Sequence, residues 1–171
     1  LAAIARKDGS PKNRKDAMFW LTQARGNEGA EIVAPVMFDD ADPKVREHGA
    51  FAISQSKWPQ ATSSLIRLGN IDRDPHVRSQ AWFWLAQTKS AETENAIRAA
   101  MQKEPERRVR EQAVFALSQL PEDRAARALI AIAEDKALSR EERKKAIFWL
   151  GQMKSDSAVL YLDKVLTANV K

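Results

Sequence analysis

The 171-residue chain contains no cysteine, one tyrosine, two histidines and six glycines. Without cysteine there can be no disulfide, thiolate metal ligand or thiol nucleophile, and the composition suits a reducing or an oxidising compartment alike. There is no run of about 18 apolar residues to cross a bilayer, so no membrane insertion is expected. Leu1 to Lys7 lack the layout of a signal peptide. A soluble protein of the cytoplasm or periplasm is the resulting expectation. Glycine-rich phosphate loops, a nucleophile elbow and a His-Glu-x-x-His motif are all missing. Charge of neither sign is scarce, because 28 basic and 23 acidic residues are spread along the chain for a net +5. So mixed a surface does not point to nucleic acid. With 44% hydrophobic and 30% charged residues the chain has the balance of a folded globular protein.

What is present is a repeat. Phe19, Phe51, Phe83, Phe115 and Phe148 are spaced by 32, 32, 32 and 33 residues. Arg14, Arg46, Arg78, Arg110 and Arg143 stand five places before them, and Gln23, Gln55, Gln87, Gln119 and Gln152 four places after. Such a period marks a solenoid, in which each unit covers the apolar face of its neighbour. A partial repeat over 1–9 and full repeats over about 10–41, 42–73, 74–105, 106–138 and 139–171 are expected to form one domain. Leu1 and Ile4 fall where Val33 and Val36 fall later, so the chain is expected to start inside a repeat whose first helix precedes it. The apolar edge left there is a candidate for self-association.

Ser10-Pro11, Asp42-Pro43 and Asp74-Pro75 each offer a capping side chain followed by proline at the first helical position. Glu106 is a poorer cap, and Ser139 with Glu142 reads as a capping box. First helices are expected near 11–24, 43–56, 75–88, 106–120 and 140–153, and second helices near 28–38, 60–70, 91–103, 123–134 and 156–168. Val77, Ala81, Trp84 and Leu85 share one face of the third first helix, as do Val45, Ala52 and Ile53 in the second. On the second helices the core positions are Val33, Val36 and Met37; Leu65 and Leu68; Ile97 and Met101; Leu129 and Ile132; and Leu162, Val165 and Leu166. Spacings of three and four are helical, and nothing alternates as a strand would. The fold class is all-α, a solenoid of antiparallel helix pairs.

Asp42-Pro43-Lys44-Val45-Arg46 and Asp74-Pro75-His76-Val77-Arg78 resemble the HEAT repeat, and more narrowly the short bacterial HEAT-like units named after phycobilisome lyases. The resemblance implies a right-handed superhelix with first helices convex and second helices concave. It also implies that the Asp and Arg of the pattern bond near the junctions between repeats. It implies a binding scaffold more often than an enzyme. The phenylalanine column departs from the family, which commonly has a polar residue there.

Trp20, Trp84 and Trp149 are read as core packing in preference to stacking platforms, while Trp82 and Trp58 lie off the pattern, Trp58 as a lid over the core edge. The arginine column reads as structural, because a catalytic site would need only one copy. His48 and His76 lack a ligand set, and Asp39-Asp40-Ala41-Asp42 lacks the glycine and terminal glutamate of a calcium loop. No metal, cofactor or catalytic residue is therefore assigned. The candidate binding surface comprises Arg67, Arg98, Arg127 and Lys164 on the second helices, with Phe51, Phe83 and Phe115 on the first. The rings are expected to fold sideways between neighbouring first helices and not to form an open stripe. The resulting expectation is a non-catalytic scaffold for an unidentified protein or peptide. The alternatives are an enzyme of the phycobilin lyase kind and a nucleic-acid binder using a basic concave face.

Overall fold

The computed structural model describes residues 1–168, and every regular element among them is an α-helix. In chain order these are α1 (Ala2–Lys7), α2 (Pro11–Asp39), α3 (Pro43–Ser54), α4 (Ala61–Ile71), α5 (Pro75–Gln87), α6 (Thr93–Met101), α7 (Arg107–Ser118), α8 (Glu122–Glu134), α9 (Arg140–Gly151) and α10 (Asp156–Ala168). α2 breaks at Gly26, whose φ of 52° and ψ of −121° suit glycine and strain other residues. It is thus a helix pair in itself, with a first arm over 11–25 and a second over 27–39. Gly29 lets the arms meet, since a Cβ there would stand 1.9 Å from the Leu21 carbonyl oxygen. Every expected helix pair is found, with ends displaced by no more than two residues. The expected end of the last repeat, 169–171, lies outside the described residues. None of the described helices is long and apolar enough to cross a membrane.

The helix starts follow the capping chemistry. Asp42 accepts from the Lys44 N–H and Asp74 from the His76 N–H, both at 2.8 Å, while Ser139 and Glu142 complete a reciprocal box. Glu106 makes no side-chain cap bond, as its longer side chain predicts.

The chain divides into two compact units, Leu1–Thr93 and Glu94–Lys171. In the first, α1 packs on α2, α2 on α3, and α5 against both α3 and α4. Its core is built from Val33, Met37, Val45, Ile53, Leu65, Leu68, Val77 and Leu85, each fully buried. In the second, α9 packs on α7 and α8, and α10 on α8 and α9, around Ile97, Leu117, Leu129 and Leu150. Of the expected core of α10, Leu162 and Val165 are half-buried and Leu166 is exposed. Leu1, which precedes α1, and Ile4 on it are also exposed.

The tryptophans require a correction. Trp20 is 57% exposed, and Trp84 and Trp149 are half-buried. Trp82, which the sequence pattern leaves aside, is the largest fully buried side chain. At the residue before the phenylalanine Met18, Ala50, Trp82 and Val114 are all buried, whereas at the residue after it only the small Ala52 and Ala116 are, and the three tryptophans there keep part of their surface in water. Trp82 fits because Gly69 faces it: a Cβ on Gly69 would stand 2.5 Å from the indole. One repeat earlier the large residue is Met37, and the small one is Gly49, whose Cβ would come within 2.7 Å of Met37. Volume is thus exchanged between facing positions, as close packing requires.

The arginine column holds the junctions together, though its carboxylate partners are not the capping aspartates. Arg14 makes a two-pronged bond to Asp40, at 2.8 and 3.0 Å, and Arg46 one to Asp72, at 2.8 and 2.9 Å. Each acceptor lies 26 residues on, in the turn after the second helix. The remaining guanidinium nitrogen reaches back six residues, from Arg14 to the Asp8 carbonyl, Arg46 to Asp40 and Arg78 to Asp72, each at 2.8 Å. Asp40 and Asp72 also accept from the N–H two residues on, at Asp42 and Asp74, which shapes the turn before the cap. In the second unit the residue 26 after Arg110 is Lys136, and Asp135 beside it accepts instead from the Ala137 N–H and from Gln102. Glu142 takes over, accepting from Arg110 Nε at 2.5 Å and from the Ser139 N–H at 2.9 Å. Burial alone would raise the Glu142 carboxyl, but the bonds from Arg110 and Ser139 outweigh it and hold the group below the usual carboxylate range.

Asp72→Ala should cost about 3–5 kcal/mol, because it strands a buried guanidinium, and the double change with Arg46→Met should recover part of that loss by removing the charge as well. Urea unfolding of the two variants is the check. Glu142 contributes stability that is fully present above its unfolded pKa, about 4.3. That stability should disappear as pH falls through the lower folded value, since the unfolded chain then binds the extra proton. Urea midpoints measured from pH 7 to pH 3 should fall less steeply in Glu142→Gln than in the parent.

Candidate first-helix groove

The positions seven, four and three before each phenylalanine, and the phenylalanine itself, lie on one stripe of a first helix. In the first unit this stripe forms a groove of about 410 Å³ lined by Lys15 of α2, Lys44, Glu47, His48 and Phe51 of α3, and Trp84 of α5. Its floor is aromatic. The Phe19 and Phe51 rings stack at 6.0 Å and 2° between planes, and Phe51 meets Trp84 at 4.9 Å and His48 at 5.4 Å. The ring lies between neighbouring first helices, yet Phe19, Phe51 and Trp84 all stay half-buried. Phe83 and Phe115 are half-buried as well, and Phe148, on the last first helix, is 53% exposed.

Charge in the groove comes from lysine. Neither the Lys15 nor the Lys44 ammonium has a hydrogen-bond or ion-pair partner among the described residues, whereas Glu47 faces His76 Nε2 at 3.5 Å. Burial, and after it the Lys15 charge, holds the His48 imidazole below its ordinary pKa, so at neutral pH it adds a ring and no charge. The corresponding cleft of the second unit, about 330 Å³ between α7 and α9, leaves one cation, Lys145, without a partner among the described residues. There Arg107 pairs with Glu111 at 2.6 Å and Lys144 with Glu141 at 3.4 Å.

The candidates on the second helices are more scattered. In the first unit the exposed Arg67 lies 4.6 Å over the Phe38 ring, beside a cleft of about 270 Å³ that also includes Ile71 and Arg73. In the second unit Arg98 is half-buried on α6, while Arg127 on α8 and Lys164 on α10 are exposed. No pocket brings these three together among those described. Lys15, Lys44 and His48 carry no sequence motif, and the signal that places them is only their offset from the phenylalanine. Among the described residues, no three His, Asp or Glu side chains form a group able to hold a metal ion.

Residues 67–141, which include the third and fourth repeats, match the family model for HEAT repeats. Among curated proteins none matches. Seventeen chains of solved structures do, among them human deoxyhypusine hydroxylase in complex with glycerol, at a TM-score of 0.62 and 19% identity. That likeness covers 95% of this chain and 65% of the hydroxylase. The fold is therefore an α-solenoid of HEAT-like repeats, as the periodicity predicts. The expectation of a non-catalytic protein is corrected: a chain of the same fold over nearly the whole of this one is an enzyme. Repetition of the arginine column explains that column and says nothing against a site elsewhere.

Phe51→Ala should cost about 2 kcal/mol, roughly half the value for a fully buried phenylalanine, because one side of the ring faces water. A midpoint change in chemical denaturation below about 0.5 kcal/mol would show that the stacked row contributes nothing to stability.

Proposed function

We propose that this chain is a repeat scaffold that binds a protein or peptide, and that it does so through its layer of first helices. The observation that carries the reading is the row Phe19, Phe51 and Trp84, stacked ring on ring and still half open to water. A HEAT-like unit can place a polar side chain at the phenylalanine position, so its solvent-facing side does not need an aromatic ring for the fold. An apolar strip kept at the surface is the usual mark of a partner surface, and the groove beside it is large enough to take an anchoring side chain. The narrower kinship with phycobilisome-lyase units rests on the two Asp-Pro-x-Val-Arg segments and belongs to this reading as a likeness of pattern. Recognition through this layer is compatible with catalysis, which the fold also supports in the hydroxylase.

Display of random peptides against the intact chain, followed by amide hydrogen exchange of the enriched complexes, tests the reading. Protection should appear in α3 and in the first arm of α2. Enriched peptides that instead protect α4 and the second arm of α2 would overturn it.

A further inference from the structure

Resting on that reading, we infer that the groove of the first unit takes an acidic peptide segment, with an aromatic or aliphatic side chain laid on Phe51 and Trp84 and a neighbouring carboxylate held between Lys15 and Lys44. Two features of the groove define this occupant. Its floor offers ring faces from α3 and α5, and Phe51 and Trp84 at 4.9 Å and 53° between planes form a shallow V that suits one flat or branched apolar side chain. Its mouth holds two ammonium groups from different helices, neither with a partner of its own. On other first helices several cations are matched, with Lys12 meeting Asp16 at 2.7 Å, Arg107 meeting Glu111 and Lys144 meeting Glu141, while Lys145 has no partner among the described residues. Two unmatched ammonium groups beside an apolar floor complement a ligand that is apolar and anionic at adjacent positions.

The charge count favours a peptide carboxylate over a nucleic acid. A single strand stacking a base on Phe51 would need cations for each successive phosphate. The groove provides two, and Glu47 stands on its wall. A carboxylate needs no more than those two donors, and Glu47, turned towards His76, limits the anion to the side where the lysines lie.

The experiment is a two-dimensional NMR titration of the whole chain with a short blocked peptide carrying Glu-Phe-Asp between Gly-Ser flanks, and with its neutral counterpart carrying Gln-Phe-Asn. The acidic peptide should bind about tenfold tighter at low salt, the value of one charge-assisted hydrogen bond gained over a neutral one. The shifts should centre on α3 and the Trp84 indole. The advantage should shrink as salt is added and vanish in the Lys15→Gln/Lys44→Gln variant, whose substitutions lie at the protein surface and leave the core intact. Equal affinity of the two peptides, or an acidic preference that survives the double substitution, overturns the assignment of the lysines. So does binding of neither peptide. In each of these cases peptides selected by display can still occupy α3, and the reading of the face stands. An oligouridylate that titrates the same amides more tightly than either peptide overturns the inference and the peptide reading together.

Discussion

The junctions between repeats depend on one guanidinium. In the first unit each arginine of the column bonds backwards to the carbonyl that ends the preceding second helix, and Arg14 and Arg46 also bond forwards to the aspartate that ends their own. Asp40 and Asp72 in turn shape the next turn through the N–H of Asp42 and Asp74. Arg14, Asp40, Arg46, Asp72 and Arg78 therefore form a continuous hydrogen-bonded spine along the turns. A buried ion pair contributes little net stability by itself, since desolvation offsets attraction, and its retention makes most sense as a device of register. Here the register is that of one helix pair on the next. A slip by a single residue would leave a guanidinium buried without its carboxylate.

The other regularities follow from the spine. With the pairs of the first unit locked, nearly the same positions face one another at successive turns, so the core can trade size between them: Gly69 with Trp82, and one repeat earlier Met37 with Gly49. The phenylalanines are five residues from the arginines and are carried along, which brings Phe19 and Phe51 into parallel stacking. The same locking shows where the repeat is broken. No carboxylate stands 26 residues after Arg110, and that role is filled by Glu142, which serves both as capping-box glutamate and as the partner of Arg110. The substitution is possible because the first turn of a helix already gathers N–H donors that favour an anion.

Much of this was legible in the chain itself. Periodicity gave the helix pairs, and the serine, aspartate and proline residues at their starts gave the caps, because both are local consequences of backbone chemistry. The acceptor of the arginine was misplaced. Asp8, Asp40, Asp72 and Glu104 recur at a spacing of 32 as regularly as the arginines do, but the HEAT-like pattern points to Asp42 and Asp74 instead. Trp82 was missed for a different reason: its burial requires Gly69 on another helix, and such a pairing leaves no trace in the pattern of either helix alone. Trp20 and Trp84 were drawn inward by their size, although their position on the wheel leans along the surface layer. Of the groove only Phe51 was read as candidate surface, since Lys15, His48 and Trp84 come from three helices and meet only in the fold.

Repetition and its breaks also separate the structural from the particular on this surface. The arginines occur in every repeat and tie the turns within each unit, and the phenylalanines share their register. Lysine at the Lys15 position and at the Lys44 position does not recur in every repeat. At the position of Lys15 the later repeats carry Glu47, Ser79, Glu111 and Lys144, and at that of Lys44 they carry His76, Arg108 and Glu141. The junction chemistry is indifferent to these sites, so it does not account for two unmatched cations meeting over an aromatic floor in one groove, when the corresponding cleft of the second unit neutralises Arg107 and Lys144 with its own glutamates. A charge that the scaffold neither needs nor neutralises, set beside apolar surface that the scaffold leaves open, is complementary to something outside the chain.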